Sequence, residues 1–226
     1  MRKDLIFHDC EQKTDEWYEV RRGKITGSKA APLLTNPSKG SHGLSAGSWT
    51  IVEKVAGEIL SGESSDSFEG NFHTRRGNDL EPLAKQYYSN YYFVDVEDVG
   101  FIEWPNEMAG CSPDGGVVAV KNKGLEVKCL CMQKHIHWLR IKDAINPTNQ
   151  DQLASIIDKK HYAQIQWNLY VTQFDEWDLL HFHPKAGKGK MDVVKILPNP
   201  KYIERFEVAH AIAKNQVSKL VEAYKN

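Results

Sequence analysis

Apolar residues along this chain follow two rhythms, and the change from one to the other marks its elements. Val94, Val96, Val99 and Phe101 fall largely at two-residue spacing, the period of a half-buried strand. The apolar runs 117–120 and 125–130 flank Lys121-Asn122-Lys123-Gly124, whose Asn and Gly suit a reversal, so a β-hairpin is expected there. With the preceding strand it predicts three antiparallel strands side by side. On the second arm of the hairpin Glu126 and Lys128 share one face, and Leu125, Val127 and Cys129 point the other way. Residues 177–183 and 193–197 predict a second hairpin around a basic, Gly-containing turn.

Elsewhere the period is helical. Residues 49–60 and 73–88 read as helices, and 152–171 as one amphipathic helix with Tyr162, Ile165 and Leu169 on its apolar stripe. The opposite stripe, Lys160, Gln164 and Asn168, is expected to meet water. Ile203, Phe206, His210, Ala213, Val217, Leu220 and Tyr224 recur as the buried face of a long C-terminal helix. Near the N-terminus Thr14 caps a short helix closed by Gly23. The cluster Thr26-Gly27-Ser28 then predicts a second helix over 29–34, ended by Pro37. Segments 36–48 and 61–67 are rich in Gly and Ser and predict loops.

At 226 residues and 41% hydrophobic, the chain has material for one well-cored domain over 1–226. No apolar run reaches membrane-spanning length, so a cytoplasmic protein without membrane partners is expected. The four cysteines are too few and too uneven for a disulfide framework and are expected as thiols. A net charge of −1 excludes nucleic-acid binding by bulk charge; any basic path must be local.

Candidate chemistry gathers at the first hairpin. Asp114, in the bend Cys111-Ser112-Pro113-Asp114-Gly115, faces Glu126 and Lys128, so two carboxylates and a lysine converge on a plausible site for a divalent metal and a water nucleophile. Acid-x-Lys triplets are common in a charged chain: Glu11-Gln12-Lys13 and Asp158-Lys159-Lys160 also match, but neither lies in a strand pattern. A solvated strand face would account for the same residues. Glu81, on the helix bearing Arg75 and Arg76, belongs to a polar face or brings a third acid to the metal. Arg21 and Ser28 fit either an anion site or a surface arginine beside ordinary capping. Lys39-Gly40-Ser41 is no P-loop, having the wrong order and no preceding strand. Cys129, Cys131, His135 and His137 are zinc-ligand types at a spacing that matches no zinc knuckle or finger.

The order of parts resembles the PD-(D/E)XK nuclease superfamily: a helix with an acid, a strand, Pro-Asp in a bend, Glu-x-Lys on the next strand, then a helix. Trp17, Arg21, Gly23, Ile25-Thr26 and Ser28, with Cys111 to Gly115, Leu125 to Lys128 and Ala163-Gln164-Ile165-Gln166, narrow the resemblance to the bacteriophage lambda exonuclease family. The resemblance implies an α/β (α+β) fold with a central mixed sheet flanked by helices. It implies a 5′-to-3′ exonuclease that digests one strand of linear double-stranded DNA, with two Mg2+ ions for which Mn2+ can substitute. Asp114, Glu126, the Val127 carbonyl and Glu81 would hold metal, and Lys128 would orient or activate water. Arg21, Ser28, Ser112 and Gln164 would hold the 5′-phosphate. The family also implies a ring-shaped homotrimer and a single-strand annealing protein as partner. The alternatives are a restriction or repair endonuclease on the same core, or a catalytically inactive DNA-end-binding protein.

Overall fold

The computed structural model describes residues 1–37, 39, 41–65, 72–117, 120 and 122–225. Strand β1 (Ile6–His8) is followed by α1 (Asp15–Arg21) and β2 (Ile25–Thr26). Helices α2 (Ala46–Ser61) and α3 (Phe72–Tyr92) precede strands β3 (Val96–Glu97), β4 (Phe101–Trp104), β5 (Ala109–Cys111), β6 (Gly115–Val117) and β7 (Lys123–Lys128). Helices α4 (Met132–Ile141), α5 (Gln150–Ile156) and α6 (Lys159–Thr172) then carry the chain to β8 (Glu176–Phe182), β9 (Met191–Ile196) and α7 (Pro200–Tyr224).

The strands form two sheets, in the orders β1-β4-β5-β2 and β3-β6-β7-β8-β9. This corrects the expectation of three neighbouring antiparallel strands. Residues 96–97 pair with β6, whereas Phe101–Trp104 pair with β5 and β1 in the other sheet. The switch falls at Ser112-Pro113-Asp114. Proline has no N–H to continue a ladder, and the next N–H, that of Asp114, donates to the Leu125 carbonyl at 3.0 Å and opens the second sheet. The β6–β7 hairpin is present, with Gly115 opposite Leu125; Val118, Ala119 and Lys121 of its predicted arm and turn lie outside the described residues. So do Ser38, Gly40, Asp66 and Ser67 of the predicted loops; the first loop ends early, at Ser45, which caps α2. The second hairpin, β8–β9, forms as predicted.

The alternation along β7 decides what each face becomes. Leu125 and Val127 pack with Ala84, Tyr88, Val117, Leu180 and Phe182 beneath α3. Glu126 shares a row with Leu179 and Val194, which belong to the main core with α6 and α7. Glu126 and Lys128 are therefore on the α6 side of the sheet.

Two further expectations are corrected. The helix predicted over 152–171 is two helices: Ile157 is extended, and the Asp158 carboxylate caps α6 by accepting the Lys160 N–H at 2.9 Å. Capping by a short acidic side chain competes with helix continuation and wins. The helix predicted over 29–34 is instead two 3-10 turns, Gly27–Lys29 and Ala31–Leu34, the second with Pro32 in its first turn. On α7, Phe206, His210, Ala213 and Val217 are buried as expected, but Tyr224 is exposed.

Candidate active site

A single cleft of about 210 Å³ is lined by Arg21, Ser28, Ser112, Asp114, Glu126, Lys128 and Gln164, together with Gln12, Trp17, Gly27 and Asn168. Five pieces of chain build it. They are α1, the Gly27–Lys29 turn, the bend where the chain changes sheets, the end of β7, and one face of α6.

The Asp114 side chain is fixed by its partner strand: its Oδ2 accepts the Val127 N–H at 2.7 Å. Glu126 is 1% exposed, and its Oε1 accepts from Lys128 Nζ at 2.5 Å and from Gln164 Nε2 at 2.6 Å. Its other oxygen, Oε2, is buried without a hydrogen-bond partner. Burial, and then the Glu126 charge, push the Asp114 carboxyl up to about 8. Burial pulls the Lys128 ammonium down, but Glu126 and Asp114 outweigh it and hold the group above its usual value. Val127 sends its side chain into the core, so only its main chain is available to the cleft.

Glu81 is not brought into this cleft. It lies on α3, which covers the Leu125 and Val127 face of the sheet, and it pairs with Lys85 at 2.8 Å beside a neighbouring cavity of about 590 Å³. Its charge still acts on Asp114 and Lys128. Among the described residues no three His, Cys, Asp or Glu side chains converge as a metal-holding group, and this includes Cys129, Cys131, His135 and His137. The acids of the cleft are thus two.

Those two nevertheless suit a divalent cation. An unpartnered buried carboxylate oxygen and a neighbour driven toward its neutral form are what a nearby positive charge relieves. The donors are hard oxygens, the type magnesium prefers.

The other end of the cleft is cationic. Arg21 is 8% exposed rather than a surface arginine, and its guanidinium lies 3.9 Å from the Trp17 ring centroid, a cation–π plate. Its Nη1 donates to Ser112 Oγ at 2.9 Å and its Nη2 to Thr26 Oγ1 at 3.4 Å. Trp17 Nε1 also donates to Ser112 Oγ, at 3.0 Å, so the serine hydroxyl keeps its own proton for an incoming acceptor. Gly23, at φ +69°, turns the chain out of α1 so that β2 returns beside Arg21.

Sequence reading overlooked three contributors. Gln12 Nε2 donates to the carbonyls of Val99 and Pro113, each at 2.8 Å, and so tethers the bend that presents Asp114. Gly27 is needed for close approach: a Cβ there would stand 2.2 Å from Asn168 Oδ1. Asn168, expected in water, is 1% exposed and forms the cleft wall one turn beyond Gln164. The four-residue spacing from Gln164 was the available signal; what hid it was that α6 is buried on nearly every side.

A mixed sheet flanked by helices, with Asp114 in a bend and Glu126-x-Lys128 on the adjacent strand, defines the chain as a PD-(D/E)XK nuclease-like core. The family profile of the YqaJ-like viral recombinase domain matches residues 16–175, and the chain belongs to that family. Among solved structures, the fold is similar to LHK-Exo, an alkaline exonuclease of Laribacter hongkongensis crystallised in complex with dAMP. The TM-score is 0.74 at 23% identity, covering 94% of this chain and 96% of that one. A phage-related exonuclease from Haemophilus somnus matches at TM-score 0.63 and 18% identity, covering 88% of this chain and 96% of that one. An uncharacterised protein of Acanthamoeba polyphaga mimivirus is 25% identical over 171 residues, which are 75% of this chain. The chain spans 29% of the length of that relative. No described helix is long and apolar enough to cross a membrane.

Proposed function

We propose that this chain is a divalent-metal-dependent 5′-to-3′ exonuclease acting on linear double-stranded DNA, working as one nuclease domain over residues 1–226. The observation that carries the reading is the joining, in one cleft, of an acid pair suited to a cation and a buried guanidinium suited to a phosphate. The strand's terminal phosphate docks against Arg21, Ser28 and Ser112 through charge-assisted bonds. Asp114, Glu126 and the Val127 carbonyl hold magnesium, as one ion or two with manganese able to replace it. Bound metal supplies the positive charge that acidifies water and offsets charge building on the phosphate. Lys128, kept protonated by Glu126, donates a hydrogen bond to the water or to the phosphate oxygen beside it. Gln164, one amide from Glu126, links the acid pair to the phosphate end and fixes the distance between terminal and scissile groups. Glu81 contributes negative potential from across the sheet.

A pocket that grips a terminal phosphate explains how an enzyme blind to sequence starts at ends. After each cut the shortened strand presents a new 5′-phosphate to the same residues, and the other strand is left as a 3′ overhang. Such an overhang is the substrate for a single-strand annealing protein, the partner we assign in cytoplasmic recombination of viral type, with a ring-shaped homotrimer as the assembly.

The test is digestion of 5′-phosphorylated linear duplex and of closed circular duplex with and without Mg2+. Mononucleotides from the linear substrate alone, and only with metal, are expected. Cutting of the circle would establish an endonuclease, and binding without cutting would establish an end-binding protein.

A further inference from the structure

Behind the Gly27–Lys29 turn lies a second cavity, of about 410 Å³, that shares Ser28 with the active-site cleft. Its floor is apolar, made by side chains such as Ile51 and Val55, and four lysines line it: Lys24, Lys29, Lys54 and Lys160. Lys24 Nζ is already engaged, donating to the Val20 carbonyl at 2.8 Å and lying 3.4 Å from Glu103. One carboxylate opposes them, Glu58 at 4% exposure, and it is occupied by the Gly23 N–H at 2.8 Å and by Ser65. In a chain of net charge −1, this is the kind of local basic path that nucleic-acid binding requires.

An apolar floor under a lysine rim fits a ligand with a flat apolar part and an anionic part, and a nucleotide is such a ligand. Cavities of this size ordinarily enclose small organic molecules. Because Ser28 opens onto both spaces, a single strand can place one phosphate against Arg21 and the next nucleotide behind the turn.

We propose that this cavity is a nucleotide subsite on the 5′ side of the phosphate pocket, taking the unpaired nucleotide of a 5′-overhanging end. The proposal rests on the reading of Arg21 and its neighbours as that pocket. A blunt end leaves the cavity empty; a one-nucleotide overhang fills it, and the internal phosphodiester takes the place of the terminal phosphate.

The experiment measures binding of the full chain, in EDTA, to duplexes with a 5′-phosphorylated blunt end, a 5′-hydroxyl blunt end and a one-nucleotide 5′ overhang. It uses wild type, Lys54→Glu and Lys160→Glu. Wild type is expected to prefer the overhang to the phosphorylated blunt end by about tenfold, with a log–log salt slope steeper by about 0.7–0.9 for the added phosphate. Both variants are expected to lose that preference and the extra slope while binding the blunt end as wild type does, which also shows that they are folded. An overhang that gains nothing, or variants that weaken both ends equally, would overturn the subsite. A wild type indifferent to the blunt-end phosphate would overturn the Arg21 reading, and the subsite with it.

Discussion

Replacing Asp114 by Asn should flatten a pH-dependent loss of stability that the wild-type protein shows in the absence of divalent metal. The Asp114 carboxyl is pushed up to about 8 from an ordinary value of 3.8, by burial first and by Glu126 second. Between those limits the folded state binds more protons than the unfolded chain, so its stability is full at low pH and is lost as pH rises through about 8. The slope has a ceiling of about 1.4 kcal/mol per pH unit. Two buried histidines act in the opposite sense. Burial lowers His161 to about 4 and His181 to about 3 from 6.5, so each removes stability as pH falls below 6.5. The wild-type curve is therefore expected to peak near pH 6.5, and the clean window for Asp114 lies above it.

From pH 6.5 to 8 the loss is about 2 kcal/mol, or roughly 4–8 °C in Tm for a chain of this size. Asparagine can still accept the Val127 N–H, so the bend is kept and only the ionisable group is removed. The assay is thermal unfolding in EDTA at intervals from pH 5 to 9, for wild type and Asp114→Asn, repeated with Mg2+. The variant should be flat above pH 6.5, and Mg2+ should raise the wild-type Tm most at the highest pH while leaving the variant unmoved. Parallel wild-type and variant curves above pH 6.5 would refute the claim that burial and Glu126 hold a proton on this acid.

The remaining predictions concern the cleft's other walls. Arg21→Ala should cost about 10- to 100-fold in affinity for 5′-phosphorylated ends and nothing for 5′-hydroxyl ends, measured by binding in EDTA, because a charge-assisted pair is lost. Arg21→Lys should recover only part of the loss, since the ammonium cannot reproduce the fork held over Trp17. Lys128→Ala should lower the single-turnover cleavage rate by about 10²- to 10⁴-fold while leaving end binding in EDTA within about twofold of wild type; an unchanged rate would remove Lys128 from the chemistry. Gly27→Ala should lower Tm by several degrees, through an overpacking cost of about 1–3 kcal/mol against Asn168, and a melt matching wild type would show that the turn yields freely.

Local rules determined much of this protein before any coordinates. The two-residue period of β7 put Glu126 and Lys128 on one face and Leu125 and Val127 on the other, because side chains on a strand can only alternate. Spacing likewise marked β8, β9 and the buried face of α7. Tertiary structure decided the rest. Where the chain leaves one sheet for another depends on which neighbours supply hydrogen bonds after Pro113, and local sequence does not hold that information. Asn168 reads as a solvated residue and becomes a cleft wall because α6 is surrounded. Glu81 reads as a third acid for the cleft and is kept from it because its helix covers the opposite face of the sheet. Periodicity states which residues share a face; only packing states what that face meets.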